Sequence, residues 1–291
     1  MIIPELMDFN NKTVLVTGAT GNVGHHVVAG LRDAGVTVRA LSRDPSSSRL
    51  PAGVATLGGD LTDPGSLRHA AAGADAAFLL WPFPTAQGAG AAVGALSGQV
   101  RRIVYLSAMS VRDGAPPAEN GVWGQVEQAI RRSGAEWTFL RAGGFATNTL
   151  AWAEQIRSRG VVRWPYGQAA RSLIHERDIA AVAVRALADG KHAGATYVLT
   201  GPEAVTQADQ AHIIGEVTGL PVRWEDDSPE SIRAQLTAMT GDRAFADHAL
   251  AYWASLITRP EPVTHAVEEI TGAPARTFRN WVRDHTGDFR P

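Results

Sequence analysis

The clearest chemical signal in this 291-residue chain is the run Thr17-Gly18-Ala19-Thr20-Gly21-Asn22-Val23-Gly24. It joins an apolar stretch at 12–17 (KTVLVT) to a helical pattern at 21–34, with apolar residues at Val23, Val27, Val28 and Leu31. In a strand–turn–helix setting each glycine has a job. Gly18 permits the tight turn, Gly21 lets backbone approach a pyrophosphate, and Gly24 allows close helix–strand packing. The helix N-terminus offers N–H groups and partial positive charge to phosphate. Thr20, Asn22 and Val23 complete the same cradle. An NAD site places a carboxylate about 20 residues later, at the end of the second strand, to bind a ribose 2′-hydroxyl. Here Leu41 is followed by Ser42, Arg43 and Asp44. A guanidinium suits a 2′-phosphate, so NADP(H) is expected over NAD(H). Asp44 either pairs with Arg43 or faces solvent.

Other candidates follow the later apolar runs. In this architecture Gly59-Asp60-Leu61 lies beside the adenine, where Asp60 accepts from the exocyclic amine or serves only the turn. Leu80, Trp81 and Pro82 are expected near the nicotinamide ribose. Ser107, Gly143 and Phe145 follow the fifth and sixth runs and belong to the same cofactor region.

Those residues need a scaffold that brings strand ends together. Apolar runs at 12–17, 36–41, 54–57, 75–80, 102–106 and 137–141 alternate with helical patterns, including 85–98 and 120–133. Asp63 caps one helix, with Pro64 at its first position. Alternation of this kind predicts parallel βαβ units: an α/β fold, a doubly wound parallel sheet of the Rossmann type. After residue 145 the rhythm loosens. Helices are expected over 146–158, 178–187 and 206–218, a strand over 196–199, and a mostly helical remainder over 225–291. The expected division is an NAD(P)-binding domain over 1–155, to which 174–200 returns. A smaller, mostly helical substrate lobe takes 156–173 and 201–291.

Composition narrows the chemistry. The chain has no Cys, so thiolate nucleophiles and Cys-ligated metals are excluded. Its 27 Lys and Arg balance 29 Asp and Glu, which leaves no electrostatic footprint for nucleic acid or anionic membrane. Only Lys12 and Lys191 are lysines. No stretch approaches ~18 apolar residues, and histidines show no metal-ligand spacing, so neither a membrane span nor a metal site is expected. A cytoplasmic protein with a small-molecule substrate is expected, with a homodimer left open as its assembly.

The motifs together resemble the NmrA-like branch of the atypical short-chain dehydrogenases/reductases. The resemblance spans nearly the whole chain: TGATGNVG at 17–24, LSRDP at 41–45, GDLTDPGSL at 59–67, VYLSAMSV at 104–111 and VEQAIRRSGAEWTFLRAGGFATN at 126–148. It continues through IHERDIAAVAVRAL at 174–187, YVLTGPEAVTQADQA at 197–211 and TFRNWVRDHTGDFR at 277–290. Quinone-reductase-like and azoreductase-like proteins belong to this group, so the resemblance implies a Rossmann fold, a nicotinamide cofactor and reductase chemistry.

The usual catalytic pattern of these reductases is a Tyr-x-x-x-Lys pair. Tyr105, Tyr166, Tyr197 and Tyr252 are followed four residues on by Met109, Ala170, Gly201 and Leu256, so no pair exists. Related reductases often carry Lys or His four residues before the Glu of the VEQ-like block, and here that position is Trp123. Ser107 matches the family's serine and can donate to a carbonyl. His175 is a second candidate proton donor, with water as the third. Trp81, Trp123, Phe145, Trp152 and Trp164 are expected as aromatic walls for a planar substrate. The reading is an NADPH-dependent reductase of a planar electrophile, such as a quinone or aromatic polyketide-like compound. Its rivals are a non-catalytic NAD(P)-sensing regulator and a cofactor-dependent coupling or rearrangement enzyme.

Overall fold

Short runs of Val, Ile, Leu and Ala, too brief for stable helices and buried on both faces, pair side by side as parallel strands. The computed structural model describes residues 12–46, 48, 50–116 and 118–290. Two units emerge from it: one through residue 143 with 176–199 and 266–273, the other comprising 144–175, 200–265 and 274–291.

The first unit runs β1 (Thr13–Val16), α1 (Gly24–Asp33), β2 (Thr37–Ser42), β3 (Ala55–Gly58), α2 (Pro64–Ala71), β4 (Ala76–Leu80) and α3 (Ala89–Ser97). It continues with β5 (Arg102–Ala108), α4 (Gly121–Arg132), β6 (Glu136–Ala142), α5 (Glu176–Ala188) and β7 (Ala195–Leu199). The seven strands form one parallel sheet in the order β3-β2-β1-β4-β5-β6-β7. This is the doubly wound Rossmann arrangement expected from the alternation of runs. Strand order reverses between β1 and β4, and such a switch opens a crevice at the carboxyl ends of those strands.

Local chemistry sets several boundaries. Asp63 Oδ1 accepts the Gly65 N–H at 2.8 Å, with Pro64 at the first helical position, so α2 starts where predicted. Helices α1 and α5 cross so closely that a Cβ on Gly30 would lie 3.0 Å from Val184. The core between the sheet and α2, α3 and α4 includes Leu15, Leu67, Leu79, Leu96, Ile103 and Phe139.

A charged pair is among the polar contacts buried in this unit. Glu127 on α4 is 1% exposed and takes Arg141 of β6 in a two-pronged grip, Nε to Oε1 at 2.9 Å and Nη2 to Oε2 at 2.8 Å. Exposed Asp113 also accepts from Nη2. Hydrogen bonding to Glu127 raises the Arg141 pKa against the opposing cost of burial. Arg131 sits over Trp137 and Phe139, 5.0 and 4.8 Å from their ring centroids.

The second unit is mostly helical, as expected, but it also contains short strand pairs. Val161–Trp164 pairs in parallel with Arg223–Asp226, and Ala170–Arg171 pairs antiparallel with Val205–Thr206. Its helices include Ala153–Arg159, Gln207–Thr218, Pro229–Thr240, Arg243–Ser255 and Phe278–Asp284. The helix expected over 146–158 opens as a 3-10 segment, Ala146–Trp152. The core holds Trp152, Ile156, Ile214, Phe278, Trp281 and Phe289. None of the described helices is long and apolar enough to cross a membrane.

Replacing Glu127 with Ala leaves the buried Arg141 guanidinium with exposed Asp113 as its remaining carboxylate partner. The expected loss is up to about 3–5 kcal/mol of unfolding free energy, because removing the buried partner leaves most of the guanidinium donors unmatched. Urea denaturation of Glu127→Ala checks it, and a change under 1 kcal/mol would show the pair to be dispensable.

Candidate functional site

The site begins where β1 ends. The Thr17 hydroxyl donates to the Phe78 carbonyl at 3.1 Å and accepts the Leu80 N–H at 2.9 Å, tying the ends of β1 and β4 together. Gly18 then turns the chain with φ +62°, the left-handed region that side chains disfavour. The Gly21 N–H closes the turn on the Gly18 carbonyl at 3.0 Å. A Cβ on Gly24 would stand 2.0 Å from that same carbonyl oxygen, so α1 can begin there only with glycine. No side chain caps the N-terminus of α1. Backbone and dipole at that end therefore remain available to an anion.

Above this turn lies a cavity of about 660 Å³. Its floor is Gly18, Thr20 and Gly21. The end of β2 supplies Leu41, Ser42, Arg43 and Asp44, the loop after β3 supplies Gly59, Asp60 and Leu61, and the end of β4 supplies Leu80, Pro82 and Phe83. The volume falls within the range of small-ligand pockets, about 300–1,000 Å³. These residues fit a dinucleotide: a glycine turn that a Cβ at residue 24 would push apart, a helix N-terminus, and a cation at the end of β2.

The charges are ordered. The Thr62 N–H and hydroxyl both donate to Asp60 Oδ1, at 2.7 Å each. Those bonds, with the nearby Arg43 charge, hold the Asp60 carboxyl below the usual carboxylate range. Arg43 is exposed and forms no ion pair among the described residues. Asp44 does not bind it. Its Oδ1 instead accepts from the Ser46 N–H and hydroxyl, at 3.0 and 2.6 Å. The Ser42 hydroxyl accepts the Asp44 N–H at 3.2 Å and donates to the Asp44 carbonyl at 3.0 Å, which holds this strand end in shape.

Several expected ligand contacts fall elsewhere. Asn22 and Val23 do not line the cavity, and Val23 is buried beneath it. Trp81 turns into the core, edge-on to Phe83, with its Nε1–H donated to the Thr85 carbonyl. Strand parity explains this: Trp81 continues the Ala77–Leu79 face, whereas Leu80 and Pro82 continue the other. Phe83 takes the lining place expected of Trp81. Gly143 is spent at the sheet edge, where its N–H donates to the Leu199 carbonyl at 2.8 Å.

The proton-donor candidates are also committed. Ser107 is buried and its hydroxyl donates to Glu127 Oε1 at 2.6 Å, so its hydrogen is not offered to a carbonyl. Glu127, the partner that sets this, was absent from the sequence-based candidates, because nothing local marks a carboxylate on α4 as buried. His175, in the second unit, is 1% exposed and holds Asp284 at 3.2 Å through Nε2. Trp123 stands 40% exposed on the first turn of α4 and lines none of the described cavities. The lysines are occupied away from the cavity: Lys12 Nζ donates to the Ala188 carbonyl, and Lys191 pairs with Asp189.

In the second unit, Trp152 is a core residue packed edge-on against Trp224, not a substrate wall. Trp164 is half-buried against Trp253. Phe145 is half-buried, and its backbone bridges to Ile174.

Fold and cradle together define a dinucleotide-binding protein of the Rossmann type. The NmrA-like family model matches residues 10–252, and the chain belongs to that family. It is 39% identical to the (4-alkanoyl-5-oxo-2,5-dihydrofuran-3-yl)methyl phosphate reductase of Streptomyces griseus, covering 96% of this chain and 99% of that protein. It is 34% identical to the NAD(P)H azoreductase of Xenophilus azovorans, covering 95% and 99%. The NADPH complex of an Escherichia coli quinone oxidoreductase shares the fold, with a TM-score of 0.76 at 22% identity over 94% of this chain and 99% of that one.

Gly24→Ala must displace the turn at Gly18. Overpacking of this kind costs about 1–3 kcal/mol, and fluorescence titration should show loss of most NADPH binding. Gly90→Ala, where a Cβ meets nothing within 4 Å, is the control. It should bind normally and gain about 0.5–1 kcal/mol.

Proposed function

We propose that this protein is an NADPH-dependent reductase that adds hydride to a planar, conjugated carbonyl acceptor of the quinone or butenolide kind. The observation that carries the cofactor preference is Arg43, an exposed guanidinium without an ion-pair partner among the described residues, on the cavity wall at the end of β2. A 2′-phosphate gives that guanidinium the acceptor it lacks. The Asp60 carboxylate, already engaged with Thr62, lies across the same cavity and suits an amine donor.

Bound NADPH supplies the hydride. What the chain contributes is a rigid seat, with Gly18, Gly21 and Gly24 fixing the pyrophosphate end and Arg43 the 2′ end. The proton donors the sequence suggests are engaged among the described residues. Ser107 gives its hydrogen to Glu127, His175 is buried with Asp284, and the lysines lie elsewhere. This supports an acceptor that stabilises its own negative charge. In a quinone, or a ring-oxo butenolide bearing a second carbonyl, the electron pair displaced by hydride is delocalised onto oxygen, and water completes the protonation. The two full-length relatives, named for reducing such a butenolide phosphate and for azo reduction, support the same reading.

The direct test is NADPH oxidation at 340 nm with 1,4-naphthoquinone and with an alkanoyl-butenolide phosphate. Turnover of at least one is expected. Binding of NADPH with no turnover of either would replace this reading with a cofactor-sensing one. Arg43→Ala should weaken NADPH binding about tenfold or more, the value of one charge-assisted contact, and leave NADH within about twofold. Equal losses for both cofactors would remove the preference.

A further inference from the structure

The loop that leaves β4 reads Trp81-Pro82-Phe83-Pro84-Thr85. Proline fixes its own φ at about −65° and drives the residue before it away from the helical region. Two prolines alternating with Trp81 and Phe83 therefore leave this stretch few conformations. The Trp81 indole closes it from inside, donating Nε1–H to the Thr85 carbonyl at 2.8 Å. Trp81 belongs to the core of the first unit. The half-buried Phe83 ring packs edge-on against it, with 4.9 Å between centroids and 69° between planes. Past Thr85 the Ala89 N–H donates to the Ala86 carbonyl at 3.0 Å, and α3 begins. Both ends of the loop are anchored, so the chain itself sets the position of the Phe83 ring.

Phe83 lines the cofactor cavity together with Leu80 and Pro82. The other walls come from the glycine turn and the ends of β2 and β3. Ser107 of β5 and Gly143 after β6 are not among them. In a doubly wound sheet the ribose that meets the β2 terminus is the one next to the adenine. The cavity is thus the seat of the adenosine half, with Arg43 at the 2′-phosphate. Asp60, held by Thr62 and within reach of the Arg43 charge, then meets the base on that same ribose. A carboxylate can accept from the amine of a purine, but the faces of the base need flat apolar surface. Leu41, Leu61 and Leu80 are branched, and Phe83 is the one aromatic ring on the cavity wall among the described residues.

We infer that Phe83 is a cofactor-binding residue that presents its ring to the adenine of NADPH and sets the affinity for that half of the cofactor. Trp81 is the positioning residue behind it. Stacking of a base on an aromatic ring is strong and indifferent to which base it is, since every base has a π-face. Phe83 therefore supplies affinity for a flat base, and Asp60 supplies the choice of adenine. A ring already held by two prolines and Trp81 loses little freedom when the base arrives, so most of the contact appears as binding. The inference rests on the cofactor assignment above and adds the residue that holds the base.

The experiment titrates NADP⁺, 2′,5′-ADP, 5′-AMP and nicotinamide mononucleotide into wild type, Phe83→Ala, Phe83→Leu, Phe83→Tyr, Trp81→Phe and Arg43→Ala. Phe83→Ala should raise Kd for NADP⁺, 2′,5′-ADP and 5′-AMP about tenfold, and leave the mononucleotide within about twofold. Arg43→Ala should instead weaken the two ligands that carry a 2′-phosphate and spare 5′-AMP. Phe83→Tyr, which keeps the ring, should bind within about threefold of wild type. Phe83→Leu, which keeps apolar volume without a flat face, should show most of the loss seen in Phe83→Ala. Trp81→Phe should give a smaller rise with the same ligand pattern. Phe83→Ala or Phe83→Leu binding 2′,5′-ADP as tightly as wild type would overturn the proposal. So would an equal loss for the mononucleotide, which would mark a general disturbance of the cavity. Turnover separates the two readings. If wild type binds NADP⁺ but reduces no acceptor, the reductase reading fails and the titrations still decide the role of Phe83. If wild type binds neither NADP⁺ nor 2′,5′-ADP, the cofactor assignment and this proposal fall together.

Discussion

The cofactor cavity depends on an absent atom. Helix α1 starts against the Gly18 carbonyl because residue 24 has no Cβ, which would otherwise sit 2.0 Å from that oxygen. Closing the turn this tightly puts the N-terminus of α1 directly beneath the cavity. The Thr17 hydroxyl then bridges β1 to β4, so both halves of the doubly wound sheet share one floor. The remaining walls are strand ends that happen to stop at the same level. Their residues line the cavity through sheet register and need no contact with one another.

Two buried carboxylates organise the polar interior of the two units, in different ways. Glu127 is closed on all sides, with Arg141 on both oxygens and the Ser107 hydroxyl on one. That cluster ties α4 to β5 and β6. It also takes the hydrogen of the Ser107 hydroxyl, the reason an acid-independent acceptor is favoured. Glu261 satisfies itself with Tyr252 and Ser172 and takes only one nitrogen of Arg171. Buried pairs are expensive, and the gain depends on how completely hydrogen bonds are made.

The sheet was legible because its strands are short, continuous apolar runs separated by helical periodicity, a pattern that needs no long-range information. Glycine roles were legible for a related reason: a positive φ or a forbidden Cβ is a local backbone requirement. The pair Val161–Trp164 with Arg223–Asp226 was not, since its partners are some sixty residues apart and neither has a hydrophobic alternation of its own. Aromatic residues misled for a physical reason. A tryptophan near a cleft buries as much surface facing inward as outward, and for Trp81 and Trp152 the core prevailed. At Trp81 the alternation of the LLWPFP segment already contained the answer, because Trp81 shares a face with buried Leu79.

The sequence by itself determined the doubly wound architecture, the glycine cradle, the cation at the end of β2 and the lack of a Tyr-x-x-x-Lys pair. Each is a property of neighbouring residues and survives without knowledge of distant contacts. Only the tertiary structure decided which polar groups remain available. That Ser107 is spent on Glu127, that His175 is buried against Asp284, and that Arg171 pairs with Glu261 depend on partners 20, 109 and 90 residues away. Burial and hydrogen-bond satisfaction are properties of the folded surroundings, and residue type alone does not carry them.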